Sequence, residues 1–212
     1  MKIIKFVYPP VLTNMYMIES NKHIILIDPF IVNIDLSGKS VDYILLTHEH
    51  FDHISGVNYW KEKTGAKVIS SKVCADRVMD SKKNLSRYFS DFCDLQTFIK
   101  VSEPVRNVEY TCDVDIVFGD QQEYIWYDVS IEALACPGHS LGSSVYIFNN
   151  KYLFAGDSMF RDYPTEAGLP GGSRMLWKTY SQPLLKNLSK ELHVYPGHFE
   201  DFDLKDYNQW VV

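Results

Sequence analysis

The sequence predicts an α/β (α+β) fold: two mixed β-sheets packed face to face with helices outside, in one domain spanning residues 1–212. Three observations predict it. Short β-branched and aromatic runs, separated by turn residues, fill the first part of the chain. A strand–helix–strand pattern follows, of the kind that demands a parallel, right-handed unit. After a polar stretch, strands and then a helix come a second time, which suits two sheets that bury one face of each against the other. A length of 212 residues is close to what one medium-sized domain needs.

In order, IIKFVY (3–8), MYMIES (15–20) and HIILIDP (23–29) read as strands. VDYILLTHEH (41–50) is a continuous apolar run ending in polar residues, as in a strand covered on both faces. Ile54, Val57 and Trp60 then recur at a spacing of three, predicting a helix to about Gly65, and AKVISS (66–71) returns as a strand. Residues 72–111 are mixed and polar, with a short helix predicted over NLSRYFSDF; this is the expected place for an insertion that covers substrate. DVDIVFGD (113–120), YDVSIEALACPG (127–138), SSVYIFNN (143–150) and KYLFAGD (151–157) follow as strands. Asn149-Asn150 between two apolar runs is a hairpin signal, because Asn tolerates positive φ. A helix over roughly Arg174 to Leu188 and a last strand in ELHVYPGH (191–198) close the set.

Composition narrows the function. A formal net charge of −6 and the absence of any basic run leave no electrostatic footprint for a nucleic-acid partner. No stretch of 18 apolar residues is present, so no membrane span is expected. The N-terminal apolar run is short and Pro9-Pro10 stops it, unlike a signal peptide. The cysteines, Cys74, Cys93, Cys112 and Cys136, form no C-x-x-C pair. With no secretion signal they read as reduced thiols of a cytoplasmic protein.

The chemistry concentrates in Thr47-His48-Glu49-His50-Phe51-Asp52-His53. On an extended strand end side chains alternate, so His48, His50 and Asp52 are expected on one side, with Glu49 turned away, solvated or hydrogen-bonded outside the cleft. His53 follows where the chain turns into a helix. Three more apolar runs stop at a glycine beside a metal-type ligand: Gly138-His139, Gly156-Asp157 and Gly197-His198. Imidazole nitrogen and carboxylate oxygen are zinc donors.

Taken in order, THEHFDH, CPGHSLGS, FAGDSMF and VYPGH resemble the motif series of the metallo-β-lactamase superfamily, and GHSLGS with the aspartate of FAGDSMF is most similar to its small glyoxalase II-like branch. The match spans about residues 42 to 198. The resemblance implies a four-layer αβ/βα sandwich holding two divalent ions, zinc first and iron or manganese as alternatives. His48, His50 and His139 would take the first ion, Asp52, His53 and His198 the second, and Asp157 would bridge them. The implied reaction is hydrolysis of a small ester, thioester, lactone or amide by a metal-bound hydroxide, with Asp52 orienting the nucleophile or taking its proton.

Two rivals share the resemblance. One is a persulfide dioxygenase-like enzyme with a single iron on two histidines and one aspartate, which has no use for Asp52, His53 and His198 together. The other is a non-catalytic protein of the same fold that keeps metal for structure or sensing. An exported β-lactamase and a nuclease fit less well, for want of a signal peptide and of basic charge. The branch's Gly-Arg-Thr-Asp stretch is replaced here by RDYPTEAGLPGGS, and the chain ends 14 residues after His198 without a C-terminal helical domain, which argues against a glutathione thioester. The expected partner is a small-molecule substrate, with a homodimer as the one assembly entertained.

Bland readings hold elsewhere. His23 and His193 belong to no motif, Ser140 and Ser143 read as turn formers, Gly56 as a packing site, and the aromatics from Tyr124 to Tyr127 as core. Substrate choice is expected from loops, chiefly 28–40, 72–111 and 158–173.

Overall fold

In the computed structural model, which describes residues 1–96, 99 and 101–210, two six-stranded sheets are stacked with helices on their outer faces, the predicted sandwich. The first sheet runs in chain order: β1 (Lys2–Tyr8), β2 (Thr13–Ser20), β3 (His23–Ile27), β4 (Ser40–Leu45), β5 (Lys67–Ser71) and β6 (Ile116–Phe118). Its first three strands are antiparallel neighbours, and β3 through β6 are parallel. The second sheet contains β7 (Gln121–Trp126), β8 (Val129–Ala135), β9 (Ser144–Phe148), β10 (Tyr152–Gly156), β11 (His193–Pro196) and β12 (Phe202–Asp203), ordered from β12 to β7. Within it β10 and β11 are parallel and the other neighbours antiparallel.

Residue parity builds the layers. Tyr16, Ile18, Ile25, Ile27 and Leu45 face Ile131, Ala133, Tyr146, Phe148 and Phe154 between the sheets. The alternate residues Met15, Met17, Ile24, Leu26 and Ile44 face outward under α2 (Val57–Thr64) and α3 (Lys72–Val78), against Trp60, Cys74 and Val78. On the far side Val145, Ile147, Leu153, Ala155 and Val194 pack under Trp177 and Leu185. Every central strand is therefore apolar on both faces, which is why its sequence reads as an unbroken run.

The strands read from the sequence are present, as is the Asn149-Asn150 turn with φ of 51° and 50°. Two strands were not anticipated. β7 pairs with β8 through the Tyr127–Asp128 turn, and its polar start (Gln121, Gln122, Glu123) is exposed, so it carries no hydrophobic run. β12 is only two residues long. The helix expected over 174–188 is instead α5 (Arg174–Leu176), a π turn (Trp177–Ser181) and α6 (Gln182–Lys186). Pro183 lacks the N–H that a regular α turn would use, and the backbone widens ahead of it. In 72–111, a 3₁₀ turn (Ser86–Tyr88) leads into α4 (Phe89–Leu95), the short helix expected there.

His23 and Trp126 lie at the end of the sandwich where β4 begins. His23 Nδ1 and Trp126 Nε1 both meet the Asp42 carboxylate at 2.9 Å, and Trp126 is buried in the inter-sheet core. His193 sits between Asp201 and Asp203 at 2.7 Å each. No helix among the described residues is long and apolar enough to cross a membrane.

Candidate metal centre

Strand direction decides where the polar segments meet. Two antiparallel steps separate β8 from β10, and β10 is parallel to β11, so their C-terminal ends share one edge of the second sheet. The segment after β4 lies against that edge: Ser144 N–H donates to Thr47 O at 2.7 Å and Tyr146 Oη–H to Leu46 O at 2.9 Å. The N-terminal start of β2 closes the rim, with Asn14 N–H donating to Gly197 O at 2.6 Å.

His48 and His50 come from the loop after β4, His139 from the loop after β8, Asp157 from the residue after β10 and His198 from just beyond β11. Asp52 differs from expectation, whereas His53 enters where the chain turns into a helix, as expected. The strand stops at Leu45, so Asp52 does not continue its alternation; it enters from the first turn of α1 (Phe51–Ile54), where an acidic side chain is favoured by the exposed backbone N–H groups. All seven side chains are buried.

The structure draws six of these residues into two clusters, which a third group, Asp28 with His48 and His53, connects. His48, His50 and His139 each offer a ligand atom within 4.8 Å of the others, and so do Asp52, His53 and His198. Asp157 stands between them: Oδ2 lies 3.5 Å from Nε2 of His139 and of His198, and Oδ1 lies 3.5 Å from His53 Nε2. Asp52 Oδ2 is 3.4 Å from Nε2 of both His53 and His198. Two donors about 2.0–2.1 Å from one tetrahedral ion would be roughly 3.3–3.4 Å apart. The donors are thus spaced as if each pair shared an ion.

Orphaned atoms point the same way. Nε2 of His48, His50, His53 and His198, His198 Nδ1 and Asp157 Oδ1 are buried without a hydrogen-bond partner. Leaving so many buried polar atoms unmade costs on the order of 1–3 kcal/mol each, unless something else satisfies them. A cation would satisfy the inward-facing Nε2 of His48, His53 and His198 and Oδ1 of Asp157.

A second ring of contacts aims the imidazoles. His53 Nδ1 meets Asp28 Oδ2 at 3.0 Å, His48 Nδ1 meets Thr47 Oγ1 at 3.0 Å, and His139 Nδ1 meets the Glu166 carbonyl at 3.1 Å. Each turns its Nε2 inward. Asp28 also accepts from Thr47 N–H at 2.7 Å and from Thr47 Oγ1, and Thr13 Oγ1 donates to Asp52 Oδ2 at 2.6 Å. Asp28, Thr47 and Thr13 were not read as site residues. The one available signal was an acidic residue closing the apolar run HIILID; Asp28 occupies φ +50°, a left-handed conformation uncommon outside glycine. Replacing Asp28 with Ala is expected to weaken metal affinity 10- to 100-fold by freeing the His53 ring. Competition against a chromophoric chelator measures this, and an unchanged affinity would remove Asp28 from the centre.

Two glycines are fixed by this packing. A Cβ on Gly197 would collide with Asp157 Oδ1 and lie 2.7 Å from His53 Cε1, and one on Gly156, at φ +49°, would collide with Thr47 Oγ1.

Electrostatics separate the donors. Burial and the neighbouring imidazoles, His53 foremost for His48 and His139 for His50, hold these two rings well below the usual histidine range, leaving neutral lone pairs. Burial works against ionising Asp52 and Asp157, yet the imidazoles of His53 and His198 outweigh it and keep both carboxylates far below their ordinary range. Burial also opposes a charge on His53, but Asp52, Asp157 and Asp28 raise it well above the usual range.

Glu49 is turned away from the cluster, as alternation predicted, but it is not solvated. It is fully buried, with Arg77 Nε donating to Oε1 and Ser140 Oγ donating to Oε2 at 2.7 Å. Ser140 and Ser143 hold the His139 turn through Ser140 N–H to Ser143 Oγ at 3.0 Å. A Cβ on Gly56 would lie 2.5 Å from the Phe30 backbone, in keeping with its packing role.

The family assignment rests on more than the motifs. The sequence pattern of the Metallo-beta-lactamase superfamily matches residues 8–198. The chain belongs to that superfamily. It is 28% identical over 178 residues to a hydroxyacylglutathione hydrolase of Pelagibacter ubique, covering 80% of this chain and 56% of that one. The chain thus spans little more than half the length of that relative. Among solved structures, the BLEG-1 B3 metallo-beta-lactamase superposes with a TM-score of 0.77 at 21% identity over 97% of this chain and 95% of that one. TTHA1623, solved in a di-iron-bound form, gives 0.66 at 22% over 95% of each chain. At such identities the structural likenesses show the fold.

Proposed function

We propose that this superfamily member is a dinuclear zinc hydrolase that cleaves a small ester, thioester, lactone or amide. The observation that carries the reading is Asp157 set 3.5 Å from histidines of both clusters. His48, His50 and His139 would hold one ion, Asp52, His53 and His198 the other, and Asp157 both. When bound, such ions supply an acidified water nucleophile and a Lewis acid for the scissile carbonyl. The chain does the rest. Asp28, Thr47 and the Glu166 carbonyl fix the imidazoles so that Nε2 faces the centre. Asp52 is held on Oδ2 by Thr13, and Oδ1 is the oxygen through which it would orient the nucleophile and receive its proton. Phe89, Phe92 and Val11 exclude bulk water from above.

Two observations favour this over the rivals from the sequence. A single iron on two histidines and one aspartate leaves the Asp52–His53–His198 group unexplained. A purely structural ion has no need of seven buried donors arranged for two positions. The mixed nitrogen and oxygen donors support zinc, while the di-iron form of TTHA1623 makes iron the competing occupant. The proposal includes a small-molecule substrate and a reducing compartment, the latter supported by four buried, unpaired cysteines.

The test is metal analysis combined with hydrolysis of generic thioesters and lactones before and after chelation. Two ions per chain and activity lost on chelation, then restored by added zinc, are expected. Activity indifferent to the chelator defeats the reading.

A further inference from the structure

One buried hydrogen bond joins the two segments that supply the three-histidine cluster. Glu49 stands between His48 and His50 in the chain, so its backbone moves with both. Ser140, 91 residues on from Glu49, directly follows His139. Both residues are fully buried, and Ser140 Oγ–H donates to Glu49 Oε2 at 2.7 Å. The link therefore runs from the His48/His50 segment to the neighbour of the third imidazole.

The surroundings present that one oxygen to Ser140. Arg77 Nε donates to Oε1 and occupies the other side of the carboxylate. A Cβ on Gly142 would collide with Oε2 and lie 2.7 Å from Cys74 Cα, so the turn over 140–143 is pressed between the carboxylate and the start of α3. Ser71 Oγ–H, at the N-cap of α3, donates to Gly142 O at 2.8 Å and holds it there. A hydrogen bond to a carboxylate is stronger than one between neutral groups, and burial shields it from competing water. Ser144 N–H to Thr47 O, one residue before His48, ties the same two segments at 2.7 Å. With that backbone bond as one fixed point and Glu49–Ser140 as the other, the separation of the histidine pair from His139 is set.

The second cluster is held by different contacts. Asp28 meets His53, Thr13 donates to Asp52, and Asn14 N–H donates to Gly197 O beside His198. None of these three contacts uses Glu49, Ser140 or Arg77.

We propose that Glu49 is a positioning residue: through Ser140, with Arg77 as its anchor, it sets the spacing of His48 and His50 from His139 and so the affinity of that one cluster for its ion. This rests on the two-ion reading above and adds a device that acts on one position and not on the other.

The experiment is a zinc titration of the full chain, buffered by chelators, with each imidazole followed by long-range 1H–15N NMR. Ser140→Ala removes the donor and keeps the carboxylate; thermal melting checks its fold. Half-saturation of His48, His50 and His139 is expected to move to at least about tenfold higher free zinc, within the range that partners outside the ligand set command. That of His53 and His198 is expected to move far less. Equal weakening of both sets, or of neither, overturns the proposal. Glu49→Gln attacks the same bond from its other end, keeps the size of the side chain and repeats the test without touching Ser140. Because the two changes remove one interaction, the double variant is expected to lose less than the sum of the single losses; additive losses overturn the proposal. A metal-free measurement stands apart from zinc uptake. His139 Nε2 and His50 Nδ1 lie 3.0 Å apart, and in the metal-free protein Ser140→Ala is expected to shift and broaden the signals of both rings while leaving His193 unchanged. If the native chain takes up no zinc, the two-ion reading fails, and this shift alone decides the tether: its presence supports the link and its absence overturns it.

Discussion

Asp157→Ala is expected to lower metal-dependent hydrolysis by about a thousandfold or more, the largest effect of any single change in this chain. Its carboxylate is buried and lies 3.5 Å from His53, His139 and His198, so it reaches histidines of both clusters. Removing it takes a negative charge from between two proposed dications, where charge stabilisation is worth several kcal/mol, and each 1.36 kcal/mol is tenfold in rate. The loss should appear first as metal content falling from two ions toward one, measured by elemental analysis. An Asp157→Ala protein that keeps two ions and its turnover would show that the carboxylate does not bridge. The same geometry sets a pH dependence. Asp52 and Asp157 hold a proton on His53 well above the ordinary range, and an ion must displace that proton. Metal affinity is therefore expected to rise with pH and to fall on acidification, with the steepest loss in Asp52, His53 and His198 occupancy.

Arg77→Ala carries the largest expected effect on stability. Glu49 is fully buried between two metal-type histidines, and Arg77, itself mostly buried, supplies its counter-charge. Removing one partner of such a pair leaves an uncompensated charge and costs roughly 3–5 kcal/mol, a melting point lower by about 2–4 °C for each kcal/mol in a chain of this size. Burial already raises Glu49, with Arg77 and Ser140 opposing it, so without Arg77 its carboxyl rises further. The folded state then binds a proton that the unfolded state releases above about pH 4.3. Stability of the variant must fall as pH rises above that value, by the sign of the proton difference. Thermal melts between pH 5 and 8 measure the slope. Adding Glu49→Gln to Arg77→Ala is expected to recover part of the loss and flatten the slope, since an amide needs no counter-charge. A flat, small loss in the single variant would mean that Glu49 is not charged in the fold.

Both effects involve residues whose meaning the sequence disclosed unequally. Asp157 could be read directly, because an apolar run, a glycine and one carboxylate lie within a few residues of each other. Glu49 could be placed on the side away from its histidine neighbours by alternation alone, yet its burial and its pairing with Arg77, 28 residues on, could not. Asp52 was legible as a site residue but not as a helical one, since four residues of helix leave no periodicity to detect. β7 was missed for the opposite reason: its polar start is paired on one side only and has no apolar pattern to show.

By itself, then, the amino-acid order determined the layered architecture and the seven clustered donors, because strand burial on two faces and strand-end ligands leave signatures within ten residues. Tertiary structure alone decided which of these side chains cluster together, that Asp28 steers His53 from 25 residues away, and that α4 lies over the cluster with Phe89, Phe92 and Cys93. Those facts are contacts between segments that the chain keeps far apart, and a contact of that kind exists only once the sheets have stacked.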